Sequence, residues 1–198
     1  MTEFPERITK EEVNERPLDH FKGAIETISS SDEAEHVISG LMGEAIVGFD
    51  TETKPVYKKG DRHLPALLQL ATADKAYLFQ LKAMGGIEPI LPVLESETIK
   101  KVGIGLRDDV LNLKHIAQFE DKSFIDIGNM TKELGIINTG LRALSALFLG
   151  FRISKKEQLS NWERIELTES QQRYAATDAW VSYLLYLKVL EAVVAKEE

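Results

Sequence analysis

The chain has 198 residues, 43% hydrophobic and 28% charged, with a formal net charge of −8 and no cysteine. That length supports one domain with a sizeable core, and the composition is that of a soluble globular protein expected in the cytoplasm. Disulfides and thiolate metal sites are excluded, no apolar run reaches the roughly 18 residues of a membrane span, and the acidic opening MTEFPERITKEEVNERP lacks the apolar segment of a secretory signal.

The first 22 residues read as an acidic lead-in, with a capping box at Thr9-x-x-Glu12 marking a short helix. Residues 23–198 read as one continuous domain. Gly23–Ile28 is the first expected strand, and Ser30-x-x-Glu33 caps a helix running to about Ser39. Glu44–Phe49 is an apolar strand that ends in two carboxylates, Asp50 and Glu52. Leu64–Thr72 and Lys75–Leu81 read as a hairpin closed at Ala73-Asp74. A short helix over Ile87–Ser96 precedes a strand at Lys100–Ile104 and a helix from Leu106 to about Phe119. A short strand at Ser123–Ile127 leads to helices over Ile127–Leu134 and Leu141–Leu149. A long helix over Thr168–Val194, capped by Thr168-x-x-Gln171, closes the chain. Strands come first and then alternate with helices, so an α/β fold with a mixed central β-sheet and helices on both faces is expected.

Three acidic positions stand out against this frame. Asp50 and Glu52 are one residue apart in an extended segment, so they project from the same face. Their repulsion needs a shared proton, nearby cations or a metal ion. In Arg107-Asp108-Asp109 both acids suit a helix's first turn. The apolar stripe Leu106, Val110, Leu113 and Ala117 puts Asp109 at its edge and Asp108 on the solvent side. In Tyr174-Ala175-Ala176-Thr177-Asp178, Tyr174 and Asp178 share a helix face with Val181 and Leu185. A carboxylate on that buried stripe needs compensation, from a salt bridge to a core Arg or Lys or from an ion shared with the other acids, unless the helix is rolled enough to expose Asp178. Four inward carboxylates and a phenol, with no His at ligand spacing, favour Mg²⁺ or Mn²⁺ over zinc. Such a set suits two divalent cations acting on a phosphodiester: one activates water and the other stabilises the leaving oxygen.

The motifs FDTE (Asp50, Glu52), GIGLRDD (Asp109) and YAATD (Tyr174, Asp178), in this order and with Leu159-Ser160-Asn161-Trp162 between the last two, carry a resemblance. The chain resembles the DEDD 3′–5′ exonuclease superfamily of ribonuclease H-like fold, in particular its ribonuclease D and Werner-syndrome-protein branch. The likeness runs from about Gly23 to Leu190. Arg173 stands where the DEDDh class has its His, and Tyr174 stands where the DEDDy class has its Tyr, so the resemblance is to DEDDy enzymes. It implies that Asp50, Glu52 and Asp178 ligate the nucleophile-side metal, that Asp50 bridges to a second ion supported by Asp109, and that Tyr174 orients the attacking water. Glu52 would also contact the terminal 3′-hydroxyl, and nucleoside 5′-monophosphates would be released from a 3′ end. The rival expectation is a catalytically weak or inactive nucleic-acid or protein-binding module of the same fold.

Further contacts to the nucleic acid are expected from Thr51, from the basic loop Lys54, Lys58, Lys59, Arg62 and His63, and from Arg152, Lys155 and Lys156. A solvated loop is the alternative in each case. Trp162 is expected in the core or at a hinge in preference to stacking on a base, Trp180 and Phe148 in the core, Asp126 as a helix cap, and His20, His36 and His115 on the surface. The acidity is uneven. Residues 1–35 hold ten acids and four bases, so the other 163 carry only −2, and +2 if four of their acids engage cations. The partner expected is single-stranded or 3′-end nucleic acid, with no membrane. Because the chain ends soon after the third motif, weak and salt-dependent binding is expected, with added grip from a homo-oligomer, a helicase or another protein partner.

Overall fold

The computed structural model describes residues 4–58, 60 and 62–197. Among them, six strands form one sheet in the order β1-β4-β3-β2-β5-β6. They are β1 (Ala24–Ile28), β2 (Ile46–Thr53), β3 (Pro65–Ala71), β4 (Lys75–Gln80), β5 (Lys100–Gly103) and β6 (Phe124–Asp126). β3 alone runs antiparallel to the rest: it pairs antiparallel with β2 and β4, while β1–β4, β2–β5 and β5–β6 are parallel. The Thr72 N–H donates to the Lys75 carbonyl at 2.8 Å, so the expected two-residue hairpin turn at Ala73-Asp74 is present.

One face of the sheet is covered by α2 (Ser31–Leu41), α3 (Leu81–Met84), α4 (Leu91–Leu94) and α5 (Leu106–Lys114), which pack on Val47, Phe49, Leu68, Leu70 and Phe79. The other carries α6 (Ile127–Glu133), α7 (Leu141–Leu144) and the 29-residue α8 (Glu169–Glu197). α8 crosses the middle of the sheet, so its small residues Ala175, Ala176 and Ala179 are buried against β3 and β4, and Val181, Leu185 and Val189 against α6 and α7. Its start is the expected box: the Gln171 N–H donates to Thr168 Oγ1 and the Thr168 N–H to Gln171 Oε1. No helix is long and apolar enough to cross a membrane among the described residues.

Four expectations change. β2 does not stop at Phe49; it runs on to Thr53, because β3 supplies partners for Asp50 (opposite Gln69) and Glu52 (opposite Leu67). The helix expected over Ile87–Ser96 splits into a 3₁₀ turn at Glu88–Ile90 and the short α4, since Pro89 and Pro92 each sit where a helix begins and supply no N–H. α5 ends at Lys114, where His115 and Ile116 switch to carbonyls three residues back. α7 widens into a π turn over Ser145–Leu149 and stops at Gly150, whose φ of 78° only glycine adopts readily.

The acidic lead-in packs on the domain. α1 (Lys10–Glu15) begins with the expected Thr9/Glu12 capping box, and its Val13, with Ile8 just before it, is buried against Ala146. Phe21 reaches the core between sheet and α8, and its N–H donates to the Thr177 hydroxyl at 3.0 Å.

Candidate metal centre

Alternation along β2 sends Val47, Phe49 and Thr51 to the α5 face and Gly48, Asp50 and Glu52 to the α8 face. At Gly48 the two elements nearly touch. A Cβ there would lie 1.9 Å from the Ala179 carbonyl oxygen, so only glycine lets α8 lie this low on β2. Asp178, the residue before Ala179, is thereby set over the two β2 carboxylates. One oxygen from each of Asp50, Glu52 and Asp178 falls within 4.8 Å of the others. Asp178 is buried and its Oδ1 accepts no hydrogen bond within the protein. An orphaned buried carboxylate oxygen facing two more carboxylates is a donor set that fits a hard divalent cation.

The electrostatics follow from that crowding. Desolvation, then repulsion from Asp178 and Asp109, raises the Asp50 carboxyl well above the usual range; the Thr51 N–H, donated to its Oδ1 at 2.9 Å, opposes this only partly. Desolvation, then repulsion from Asp50, pushes Glu52 up to about 10. Desolvation raises Asp178 to about 7 against a smaller lowering from the neighbouring Tyr174 hydroxyl. Tyr174 is half-buried with its ring 5.9 Å from that of Trp162, and desolvation followed by the nearby acids holds its phenol above the usual range.

These shifts have a sign for stability. The folded metal-free protein binds protons at this site that the unfolded chain, with carboxyls near 4, has released. The contribution is therefore fully present below about pH 4 and is lost as the pH rises through Asp178's value near 7 and on toward Glu52's near 10. Mg²⁺ is accordingly expected to raise the melting temperature more at pH 8 than at pH 5, since the cation binds the deprotonated site. Thermal scans with Mg²⁺ and with a chelator at both pH values measure this; equal shifts would contradict it.

Asp109 lies apart from the three-carboxylate group. Half-buried in the first turn of α5, it accepts a hydrogen bond from the Thr51 hydroxyl. Burial raises it to about 6 even so. β2 pairs with β5 only as far as Gly48 opposite Val102, and β5 turns through Gly105 into α5 soon after. The first turn of α5 thus borders the free edge of β2, in the crevice at the strand ends where α/β sheets place their sites. Asp108 is exposed, as helical phase required.

The basic candidates are dispersed. Lys54 pairs with Glu163 at 2.9 Å, and the same carboxylate lies 3.9 Å from His63. Arg62 lines a separate cavity with Lys82, Ile116 and Glu163, which none of Asp50, Glu52, Asp109 and Asp178 borders. Lys58 is exposed, and Lys59 lies outside the described residues. The Arg152 guanidinium donates to the Arg16 carbonyl at 3.1 Å. Lys155 and Lys156 are exposed and border two different cavities beside Tyr174 and Asp178. Trp162 is core, 1% exposed. Phe148 is buried, and Trp180 is partly buried between Phe21 and Phe151. Asp126 caps α6 through Gly128 and accepts the Gly105 N–H. His20, His36 and His115 are exposed. Gly48 was missed at the level of sequence, although a glycine inside an apolar strand is the known mark of a close backbone approach.

A family model described as 3′–5′ exonuclease matches residues 25–193. The chain is 33% identical over 183 residues to the mouse bifunctional 3′–5′ exonuclease/ATP-dependent helicase WRN, covering 87% of this chain and 13% of that protein. It is 32% identical over 160 residues to a 3′–5′ exonuclease of Arabidopsis thaliana, covering 75% of this chain and 54% of that one. The chain thus spans only part of these relatives. Among solved structures it superposes on the Aedes aegypti Nibbler EXO domain with a TM-score of 0.81 at 20% identity, covering 90% and 94% of the two chains. It superposes on Escherichia coli RNase D with a TM-score of 0.79 at 20% identity, covering 87% and 46%. These likenesses establish the expected ribonuclease H-like fold.

Proposed function

Since the chain belongs to the 3′–5′ exonuclease family, we propose that it is a DEDDy-type enzyme removing nucleoside 5′-monophosphates one at a time from the 3′ end of a nucleic acid. The observation that carries this is the gathering of Asp50, Glu52 and Asp178 within 4.8 Å, with one buried Asp178 oxygen left without a partner. Two divalent cations, Mg²⁺ or Mn²⁺, would be held by these three carboxylates, with Asp109 supporting the second, and would supply an activated water and charge stabilisation at the scissile phosphate. Asp50, whose carboxyl feels the charges of both Asp178 and Asp109, would contribute to holding both ions. Glu52 would also contact the terminal 3′-hydroxyl. Tyr174 stays a neutral phenol because burial and the acids around it oppose ionisation. It can therefore orient the attacking water by hydrogen bonding but cannot take its proton. The mouse relative's name joins an exonuclease to a helicase, and a helicase or a second copy of this chain is the partner we propose for added grip.

The test is digestion of 5′-labelled single-stranded DNA, recessed duplex and RNA with Mg²⁺ or Mn²⁺. Progressive shortening from the 3′ end that disappears in Asp50→Ala is the expected result; shortening that survives in this variant would reject the mechanism. Tyr174→Phe is expected to lower turnover roughly 10- to 100-fold, the worth of one hydrogen bond to a charged or developing-charge group, with the metal titration little changed. A large loss of metal affinity in that variant would remove Tyr174 from the water-orienting role.

A further inference from the structure

Tyr174 and Asp178 stand between two cavities, and charge distinguishes them. The first, of about 450 Å³, is bordered by Lys10, Arg142 and Lys155, with Asp178 as its one carboxylate. The second, of about 360 Å³, has Lys156 and Arg173 but also Asp19, Glu157 and Glu169 beside Asp178. A polyanionic strand leaving the carboxylate centre meets a net positive wall in the first and a net negative one in the second.

The first cavity is walled in part by α1, which lies outside the family match that begins at residue 25. Helical phase turns this acid-rich segment to advantage. Thr9, Lys10 and Val13 border the cavity, whereas Glu11 and Glu15 are exposed and do not border it, and Glu12 is engaged in the capping box. The helix is held in place on both sides. The Ile8 N–H donates to Asn138 Oδ1 at 2.8 Å, and the Asn138 amide donates back to the Ile8 carbonyl at 3.1 Å. Arg142 donates to Asn14 Oδ1 at 2.9 Å and to the Ile153 carbonyl at 3.1 Å. Both of these acceptors are neutral, so the guanidinium charge is not cancelled. Among the described residues neither Lys10, Arg142 nor Lys155 forms an ion pair with a carboxylate.

We propose that the N-terminal helix α1 is part of the substrate cleft: nucleotides upstream of the 3′-terminal one cross the first cavity, and their phosphates are held by Lys10, Arg142 and Lys155. This rests on the exonuclease reading above and extends it to α1 and its Lys10, which lie outside the family match. The cations act on the strand's backbone, so the grip is indifferent to base sequence.

The experiment measures hydrolysis of a dinucleotide and a 5′-labelled hexanucleotide by the full chain and by Lys10→Ala, across a range of salt. Lys10 is exposed, so the substitution does not touch the core. In Lys10→Ala, KM for the hexanucleotide is expected to rise severalfold with kcat less affected. The dependence of log affinity on log salt should become shallower by about 0.7, the increment for one phosphate contact on a single strand. The dinucleotide, whose single phosphodiester sits over the carboxylates, should lose less. Glu15→Gln, on the same helix but away from the cavity, should alter neither substrate. An unchanged salt dependence, or the same loss on both lengths, would overturn the assignment of α1. Failure of the unsubstituted chain to shorten either substrate would instead sink the exonuclease reading.

Discussion

Asp178→Asn is expected to lose at least about a thousandfold in turnover, the scale of the several kcal/mol that metal-held charge stabilisation supplies to a phosphoryl displacement, and to make the metal-free protein more stable. The two effects have one cause. Asp178 is buried, one of its oxygens has no partner, and it faces Asp50 and Glu52 across less than 4.8 Å. Burial raises its carboxyl to about 7, so at neutral pH the fold resists its negative charge. A neutral amide removes that repulsion and with it the ligand. For a chain of this size, each kcal/mol gained shifts the melting temperature by about 2–4 °C. Thermal scans with a chelator should therefore show the variant melting higher than the parent, and scans with Mg²⁺ should reverse the order. Retained activity, or a metal-free variant that melts lower, would show that the three carboxylates do not act as a strained ligand set. Asp50→Asn should behave alike, and the double variant should lose little more activity than either single one, since ligands of one site act as a unit.

Gly48→Ala is expected to destabilise the protein by about 3 kcal/mol, at the upper end of overpacking costs, and to weaken metal binding without touching a ligand. The added methyl would lie 1.9 Å from the Ala179 carbonyl oxygen and 2.9 Å from the Tyr183 backbone nitrogen. Neither is the end of a flexible side chain, so β2 and α8 must part. Parting them lifts Asp178, the neighbour of Ala179, away from Asp50 and Glu52. Gly40→Ala is the contrasting variant. A Cβ there meets nothing within 4 Å, and replacing a helical glycine in this way is worth a gain of about 0.4–1 kcal/mol. Urea midpoints and metal titrations of the two variants decide the matter; a neutral Gly48→Ala would mean that the contact between β2 and α8 is not what aligns the site.

Local periodicity carried much of the site. Period two placed Asp50 and Glu52 on one face, and the i, i+4 relation placed Tyr174 beside Asp178. Both hold in the folded chain because these rules follow from backbone geometry alone. The phase of α5 separated the exposed Asp108 from the half-buried Asp109 for the same reason. The extent of β2 was not legible. An apolar run marks where a strand is buried, whereas its continuation to Thr53 depends on partners in β3. The basic candidates were the least legible. Lys54 and His63 face Glu163, a hundred or more residues away, and no local pattern announces that partner.

By itself, then, the sequence determined which residues could share a face, which helix ends were capped, and that three acidic motifs in order suit hard divalent cations. The tertiary structure alone decided the distances between those motifs. The bare backbone of Gly48 sets how low α8 lies on β2, and that contact brings Asp178 to the β2 carboxylates. The pairing of β2 with β5, ending at Gly48, leaves the strand edge beside which Asp109 meets Thr51 from the other face. The acidic N-terminal segment became a wall of the cation-lined cavity only through docking on Ala146 and Asn138, residues more than a hundred positions distant. Net charge is a sum along the chain, but a ligand meets only the side chains that folding turns toward it.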